Sequence, residues 1–153
     1  MALTIEWFSD SETARAEAKS LLEDDPDKLF KDLGSSQLKD SDSVGAVLKL
    51  NDEPIGFFVV NTGQVFFEIY KLFIKEDSRG KGYGAEAVDY LINLGRDEGF
   101  QEMGIEVAGS ASSFWERYLS NRELCWFPFP GKFQIHLDHD ENDLDACPHV
   151  DLK

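Results

Sequence analysis

Between Val65 and Val107 the chain reads strand, glycine-rich loop, amphipathic helix, strand, and few folds accept that order. Val65 to Ile74 is rich in β-branched and aromatic residues, as a packed strand requires. Arg79-Gly80-Lys81-Gly82-Tyr83-Gly84 follows. Ala87, Val88, Leu91, Ile92 and Leu94 then recur on one helical face until Gly99, and Glu102 to Val107 is strand-like again. Strand, helix, strand makes a βαβ crossover. Upstream, Val44 to Leu50 and Ile55 to Val60 are two more strand runs, set off by Asn51-Asp52-Glu53-Pro54 and Asn61-Thr62-Gly63. These connections suit an antiparallel meander with Val65 to Ile74, so the crossover joins a mixed sheet.

The flanking segments extend the pattern. Leu3 to Trp7 alternates as a strand does, and Ser9-Asp10-Ser11-Glu12 forms a capping box before Ala14, Ala18, Leu21 and Leu22 at helical spacing. Asp25-Pro26 opens a second short helix, with Leu29, Phe30 and Leu33 on one face and Gly34 as its stop. Ser35 to Ser43 has no apolar period and reads as a loop that gates a site or merely connects. Ser112 to Leu119 suits a short helix, and Trp126-Phe127 and Phe133 to Leu137 suit closing strands around Pro128 and Gly131. The expectation is an α+β, three-layer domain over residues 1–137, with a mostly antiparallel mixed sheet of about six to seven strands and about four helices. Residues 138–153 carry Asp138, Asp140, Glu141, Asp143, Asp145 and Asp151 against Lys153 alone, and read as an acidic, solvated tail.

Composition bounds the partners. No run approaches the roughly 20 apolar residues of a membrane span, and Met1 to Ile5 lacks a basic n-region, so a cytoplasmic protein is expected. Cys125 and Cys147 are then expected as reduced thiols. A formal charge of -15 argues against nucleic-acid binding, which needs Lys and Arg on phosphates. It would attract a cationic amine or basic peptide, or serve solubility alone. A mimic that blocks a basic partner's nucleic-acid site is a further reading. Trp126 to Phe129 suits the face of a homodimer as well as a core edge.

A glycine loop that ends a strand and opens a helix brings backbone amides and the helix dipole to bear on an anion, phosphate above all. Glycines let the backbone approach phosphate oxygens, and Arg79 and Lys81 add charge in an acidic chain. A tight strand-to-helix turn is the plainer reading. The loop is not a Walker A sequence, because Gly82 follows Lys81, and G-x-G-x-x-G is not matched.

In that context Arg79-x-x-Gly82-x-Gly84 resembles the Gln/Arg-x-x-Gly-x-Gly/Ala motif of the GNAT N-acetyltransferases, preceded by their hallmark strand, here Glu68 to Ile74. Phe114-Trp115-Glu116-Arg117 is similar to the family's Phe-Tyr-Glu-Lys segment. The resemblance covers roughly Val44 to Leu119. It implies that acetyl-coenzyme A is the co-substrate, with its pyrophosphate on the amides of Arg79, Gly80, Lys81, Gly82, Tyr83 and Gly84. The pantetheine arm would lie along the backbone of Leu72, Phe73 and Ile74. It also implies that the hallmark strand and the next parallel strand splay apart near Ile74 and Val107, where an unpaired amide would polarise the thioester carbonyl.

An amine near pKa 10.4 must lose a proton before it attacks a thioester, and a carboxylate in the cleft can take it. The resemblance implies Glu68 as the candidate base, since its place on the hallmark strand and its spacing to Arg79, Gly82 and Gly84 are similar to those of the base in histone-type members, with Glu106 on the facing strand in reserve. The family's tyrosine acid is replaced by Trp115, whose indole cannot serve as an acid, and Tyr118 at i+3 is the candidate in its place. The family's Asn is also missing from Ala108-Gly109-Ser110-Ala111. Cys125 reads as a buried hydrophobe rather than an acetyl carrier. His136, His139 and His149 with the tail carboxylates make a poor calcium-loop pattern, and no metal is expected. The implied activity is acetyl transfer from acetyl-coenzyme A to a small-molecule or peptide amine in a ternary complex. The alternative is a non-catalytic acyl-coenzyme A sensor or interaction module on the same fold.

Overall fold

The computed structural model describes residues 3–8, 16, 21, 43–106, 112–129 and 132–137. Seven strands form one sheet among them, in the order β1-β2-β3-β4-β5-β7-β6. They are β1 (Thr4–Phe8), β2 (Ser43–Leu50), β3 (Glu53–Thr62), β4 (Phe66–Ile74), β5 (Glu102–Glu106), β6 (Trp126–Phe129) and β7 (Lys132–His136). All neighbouring pairs are antiparallel except β4 with β5, which the crossover helix α1 (Tyr83–Asp97) makes parallel. The second helix is α2 (Ser112–Ser120). Of the two helices expected between Ser9 and Gly34, only Ala16 and Leu21 are described, and both are helical. Of the loop expected over Ser35 to Ser43 only Ser43 is described, and it opens β2; the tail after Leu137 also lies outside the described residues.

Alternation sorts each strand into two faces. Phe58 and Val60 of β3, Phe67 and Ile69 of β4, Met103 and Ile105 of β5 and Ile135 of β7 join Val88, Leu91 and Ile92 of α1 and Trp115 and Leu119 of α2 in one buried core. On the opposite face Val47, Phe57 and Val59 are fully buried, and Phe57 stacks on Phe73 at 5.4 Å. The approach of α1 to the sheet depends on Gly95. A Cβ there would lie 2.5 Å from the Phe67 ring and 2.9 Å from Leu137.

Two local features differ from the sequence reading. The turn between β2 and β3 is only Asn51-Asp52, both with positive φ (53° and 67°), because Asn and Asp tolerate the left-handed region that a two-residue hairpin demands. Pro54 therefore falls inside β3, opposite Lys49 and next to a register shift. The second difference is chemical: Cys125 is disulfide-bonded, not a reduced thiol. The sequence has one other cysteine, Cys147, outside the described residues. No described helix is long and apolar enough to cross a membrane.

Candidate active site

β4 and β5 begin side by side, and among the described residues their pairing ends before β4 does. Their parallel pairing runs from Phe66 with Glu102 to Ile69 with Ile105, and among the described residues it stops there. β4 itself continues to Ile74, paired among the described residues with β3, through Leu72 opposite Phe58 and Ile74 opposite Gly56. The register between β3 and β4 jumps from Val60–Ile69 to Val59–Lys71, so β4 carries an extra residue, Tyr70, at the point of parting. A bulge bends a strand and sharpens its twist, and this one falls where the described pairing with β5 ends. Leu72, Phe73 and Ile74 have no pairing with β5 among the described residues. Leu72 and Ile74 pack on the α1 core, while Phe73 faces the opposite side.

The glycine loop sits at the mouth of this opening. After β4 a 3-10 turn (Glu76–Ser78) leads to Arg79, and α1 starts at Tyr83 with Gly82 as its N-cap at φ 87°. No side chain caps that end, so the first amides of α1 have no side-chain acceptor at the cap. Gly80 (φ 75°) and Gly82 would each carry a Cβ into open space, so the loop shows its backbone, not side chains, to whatever approaches. Gly80, Lys81 and Gly82 are exposed, Tyr83 is half-buried and Gly84 is buried. Arg79 folds back: its Nε donates to the Ile74 carbonyl at 2.6 Å and its guanidinium lies 5.5 Å from the Phe73 ring centre. An uncapped helix end, an exposed glycine backbone and two cations fit a pyrophosphate.

Glu68 stands at the root of the opening, one residue before the last paired position. Its backbone lies between Asn61 of β3 and Gly104 of β5, and its half-buried side chain faces away from α1. Gly104 leaves room there, since a Cβ would meet the Phe66 ring at 3.0 Å and Glu68 Cγ at 3.6 Å. On the same face Gln134 Nε2 donates to Glu102 at 2.5 Å, and His136 Nδ1 lies 3.6 Å from the other Glu102 oxygen. Glu106 pairs through its backbone with Lys132, whereas Val107 and residues 108–111 lie outside the described residues.

Tyr118 is brought to α1. Its buried hydroxyl donates to Asp89 Oδ1 at 2.5 Å, and Arg122 holds the same carboxylate through Nε at 3.0 Å and NH2 at 3.1 Å. Burial, then the Asp89 hydrogen bond and charge, raise the phenol pKa above its ordinary value, against a smaller opposing effect of Arg122. Trp115 is core, edge-on to both Phe114 and Tyr118. Phe114 reaches the opening: its ring stands 3.0 Å from where a Gly84 side chain would begin, and Ile74 borders the same spot at 3.8 Å. Asp89 and Arg122 escaped the sequence reading, although Arg122 lies four residues after Tyr118. A pocket of about 420 Å³ lined by Glu116, Leu119, Ser120, Arg122, Trp126 and Phe133 shares none of the cleft residues.

Comparison with known proteins agrees with this geometry. Solved structures of similar fold include an IAA acetyltransferase from Bacillus cereus (17% identity, TM-score 0.61, covering 88% of this chain and 99% of that one). Another is the PaiA N-acetyltransferase from Thermoplasma acidophilum in complex with coenzyme A (17%, TM-score 0.60, 88% and 98%). The ribosomal-protein-S18-alanine N-acetyltransferase from Escherichia coli is also similar (14%, TM-score 0.55, 88% and 90%). A search of curated protein sequences finds no match. At these identities the likeness shows the fold. The sequence itself adds the decisive finding, because the profile of the acetyltransferase (GNAT) family matches residues 3–120, from β1 through the parted strands and the glycine loop to the end of α2, and the chain therefore belongs to that family.

Proposed function

We propose that the protein transfers an acetyl group from acetyl-coenzyme A to a primary amine by direct attack in a ternary complex. The observation that carries this reading is that β4 runs on past its last described pairing with β5, at Ile69 and Ile105, to the glycine loop and the uncapped end of α1. The pyrophosphate lies on the amides of residues 79–84 and the pantetheine arm on the backbone of Leu72 to Ile74. An amide near Ile74 polarises the thioester carbonyl as charge develops on its oxygen. Glu68, across the sheet from α1, takes the proton of the incoming ammonium directly or through water. The amine nitrogen bonds to the acetyl carbon and gives up its second proton to water, the C–S bond breaks, and the thiolate leaves. A thiol with an ordinary pKa near 8.5 can recover its proton from water. Tyr118, whose proton is held on Asp89, is given a positioning role in this reaction in place of the acid role the sequence suggested.

Thermal-shift titration and thiol release test the reading. Acetyl-coenzyme A should raise the melting temperature where ATP and NAD do not, and a panel of amines should release coenzyme A. Glu68→Gln should leave acetyl-coenzyme A binding unchanged and lower turnover by about 100-fold or more at neutral pH. Raising the pH should restore part of the loss, because more amine is then already deprotonated. Full activity of E68Q would remove the residue from the mechanism. Trp115 in the core and the engaged hydroxyl of Tyr118 favour a second reading, a module that binds acyl-coenzyme A without transfer. Tight binding with no thiol released from any amine selects it.

A further inference from the structure

We propose that Asp89, Tyr118 and Arg122 form a clasp between α1 and α2 that fixes Phe114 at the mouth of the acyl-coenzyme A cleft, making Asp89 and Arg122 positioning residues for that ligand. This rests on the cleft being the acyl-coenzyme A site. Phe114, Tyr118 and Arg122 are spaced by four and lie in a row, with the guanidinium 4.6 Å from the Tyr118 ring centre and the Tyr118 and Phe114 rings stacked at 6.3 Å. One end of the row is anchored to α1 by three hydrogen bonds converging on Asp89. The other end places Phe114 against Gly84 and beside Ile74, the last glycine of the loop and the last residue of β4. Both lie in the segments that receive the pyrophosphate and the pantetheine arm. Any drift of α2 along α1 is therefore felt as a change in cleft width at Gly84.

The chemistry of the clasp suits placement more than stability. Arg122 and Asp89 keep 32% and 42% of their side-chain surface exposed, and ion pairs in such surroundings add little to folding. A forked guanidinium–carboxylate contact is directional, however, and the Tyr118 hydroxyl shares one of its oxygens. Apolar packing of Trp115 and Leu119 would hold α2 down without setting its register.

The test uses D89A, R122Q and R122K in the full chain. Hydrogen exchange should show α2 amides exchanging about tenfold faster in D89A and R122Q, with the interior of α1 unchanged. The acetyl-coenzyme A KM and Kd should rise by about tenfold, while kcat and the acceptor KM move less than about threefold. R122K, which keeps the charge but loses the fork, should fall between wild type and R122Q. D89A combined with R122Q should be no worse than either alone, as one unit predicts. Unchanged α2 exchange overturns the clasp whether or not the ligand binds. Faster exchange with an unaltered acetyl-coenzyme A Kd overturns the positioning role. A wild-type chain that binds no acetyl-coenzyme A overturns the proposed function and this role with it.

Discussion

Tyr118 shows how one neighbour sets the use of a side chain. A phenol at i+3 from the position of the family's tyrosine reads as an acid, yet a buried hydroxyl that donates to Asp89 gives up its proton less readily than one in water. Its folded pKa lies above the ordinary 10.0, so the stabilisation it carries is complete below that pH and is lost as the pH rises beyond it. Above pH 10 the unfolded chain sheds a proton that the native chain keeps, which costs about 1.4 kcal/mol per pH unit. Y118F should be less stable than wild type by about 1–3 kcal/mol at pH 8, where the Asp89 hydrogen bond is lost. From pH 10 to 11 its stability should fall less steeply, so the two curves converge. Urea denaturation across that range measures the difference, and parallel curves would show that Tyr118 does not hold its proton in the native state. Turnover of Y118F should persist, since the thiolate has solvent as a proton source.

The elements that position the site were legible where the signal was local. The run ending at Ile74, the glycine loop and the apolar face of α1 fix strand, turn and helix, and the structure places them at Phe66–Ile74, Arg79–Gly82 and Tyr83–Asp97. What creates the opening was not readable from spacing. The extra residue at Tyr70 exists only relative to the register of β3, and the end of pairing at Ile69 depends on β5, more than thirty residues away in sequence. The family resemblance implies a splay between Ile74 and Val107, which periodicity could not, and Val107 lies outside the described residues. The same holds for the contact of α1 with the sheet, where Gly95 looked like an ordinary helix residue. Alanine at an exposed helix glycine usually stabilises by up to about 1 kcal/mol. Gly95→Ala should do the reverse, by about 1–3 kcal/mol, because its methyl would sit 2.5 Å from Phe67 and 2.9 Å from Leu137. A melting temperature equal to or above that of wild type would mean that α1 can lift off β4 freely. Since α1 begins at the glycine loop, the strained variant should also bind acetyl-coenzyme A more weakly.

At the scale of the whole molecule the sequence misled on one point and left another open. Two cysteines in a chain expected to be cytoplasmic read as free thiols, whereas Cys125 is disulfide-bonded, and no local pattern around it announces the bond. The charge of -15 was left as either a steering field or a solubility device. The cleft gives it a direction. Glu68 and Glu102 lie on the face away from α1, whereas Arg79 and Lys81 belong to the glycine loop, so in the proposed reaction the amine and acyl-coenzyme A would meet fields of opposite sign. A cationic acceptor is drawn by the net charge over distances set by the Debye length, about 14 Å at 0.05 M salt and about 4 Å at 0.5 M. Its kcat/KM should therefore fall several-fold, by roughly 5-fold for a dication, across that range. A zwitterionic amine of zero net charge should change by less than about twofold, since it gains no long-range attraction that salt can screen. The comparison is made at saturating acetyl-coenzyme A, so that screening of the polyanion does not enter. Equal salt dependence of the two amines would assign the acidic surface to solubility alone and leave acceptor choice to contacts around Glu68.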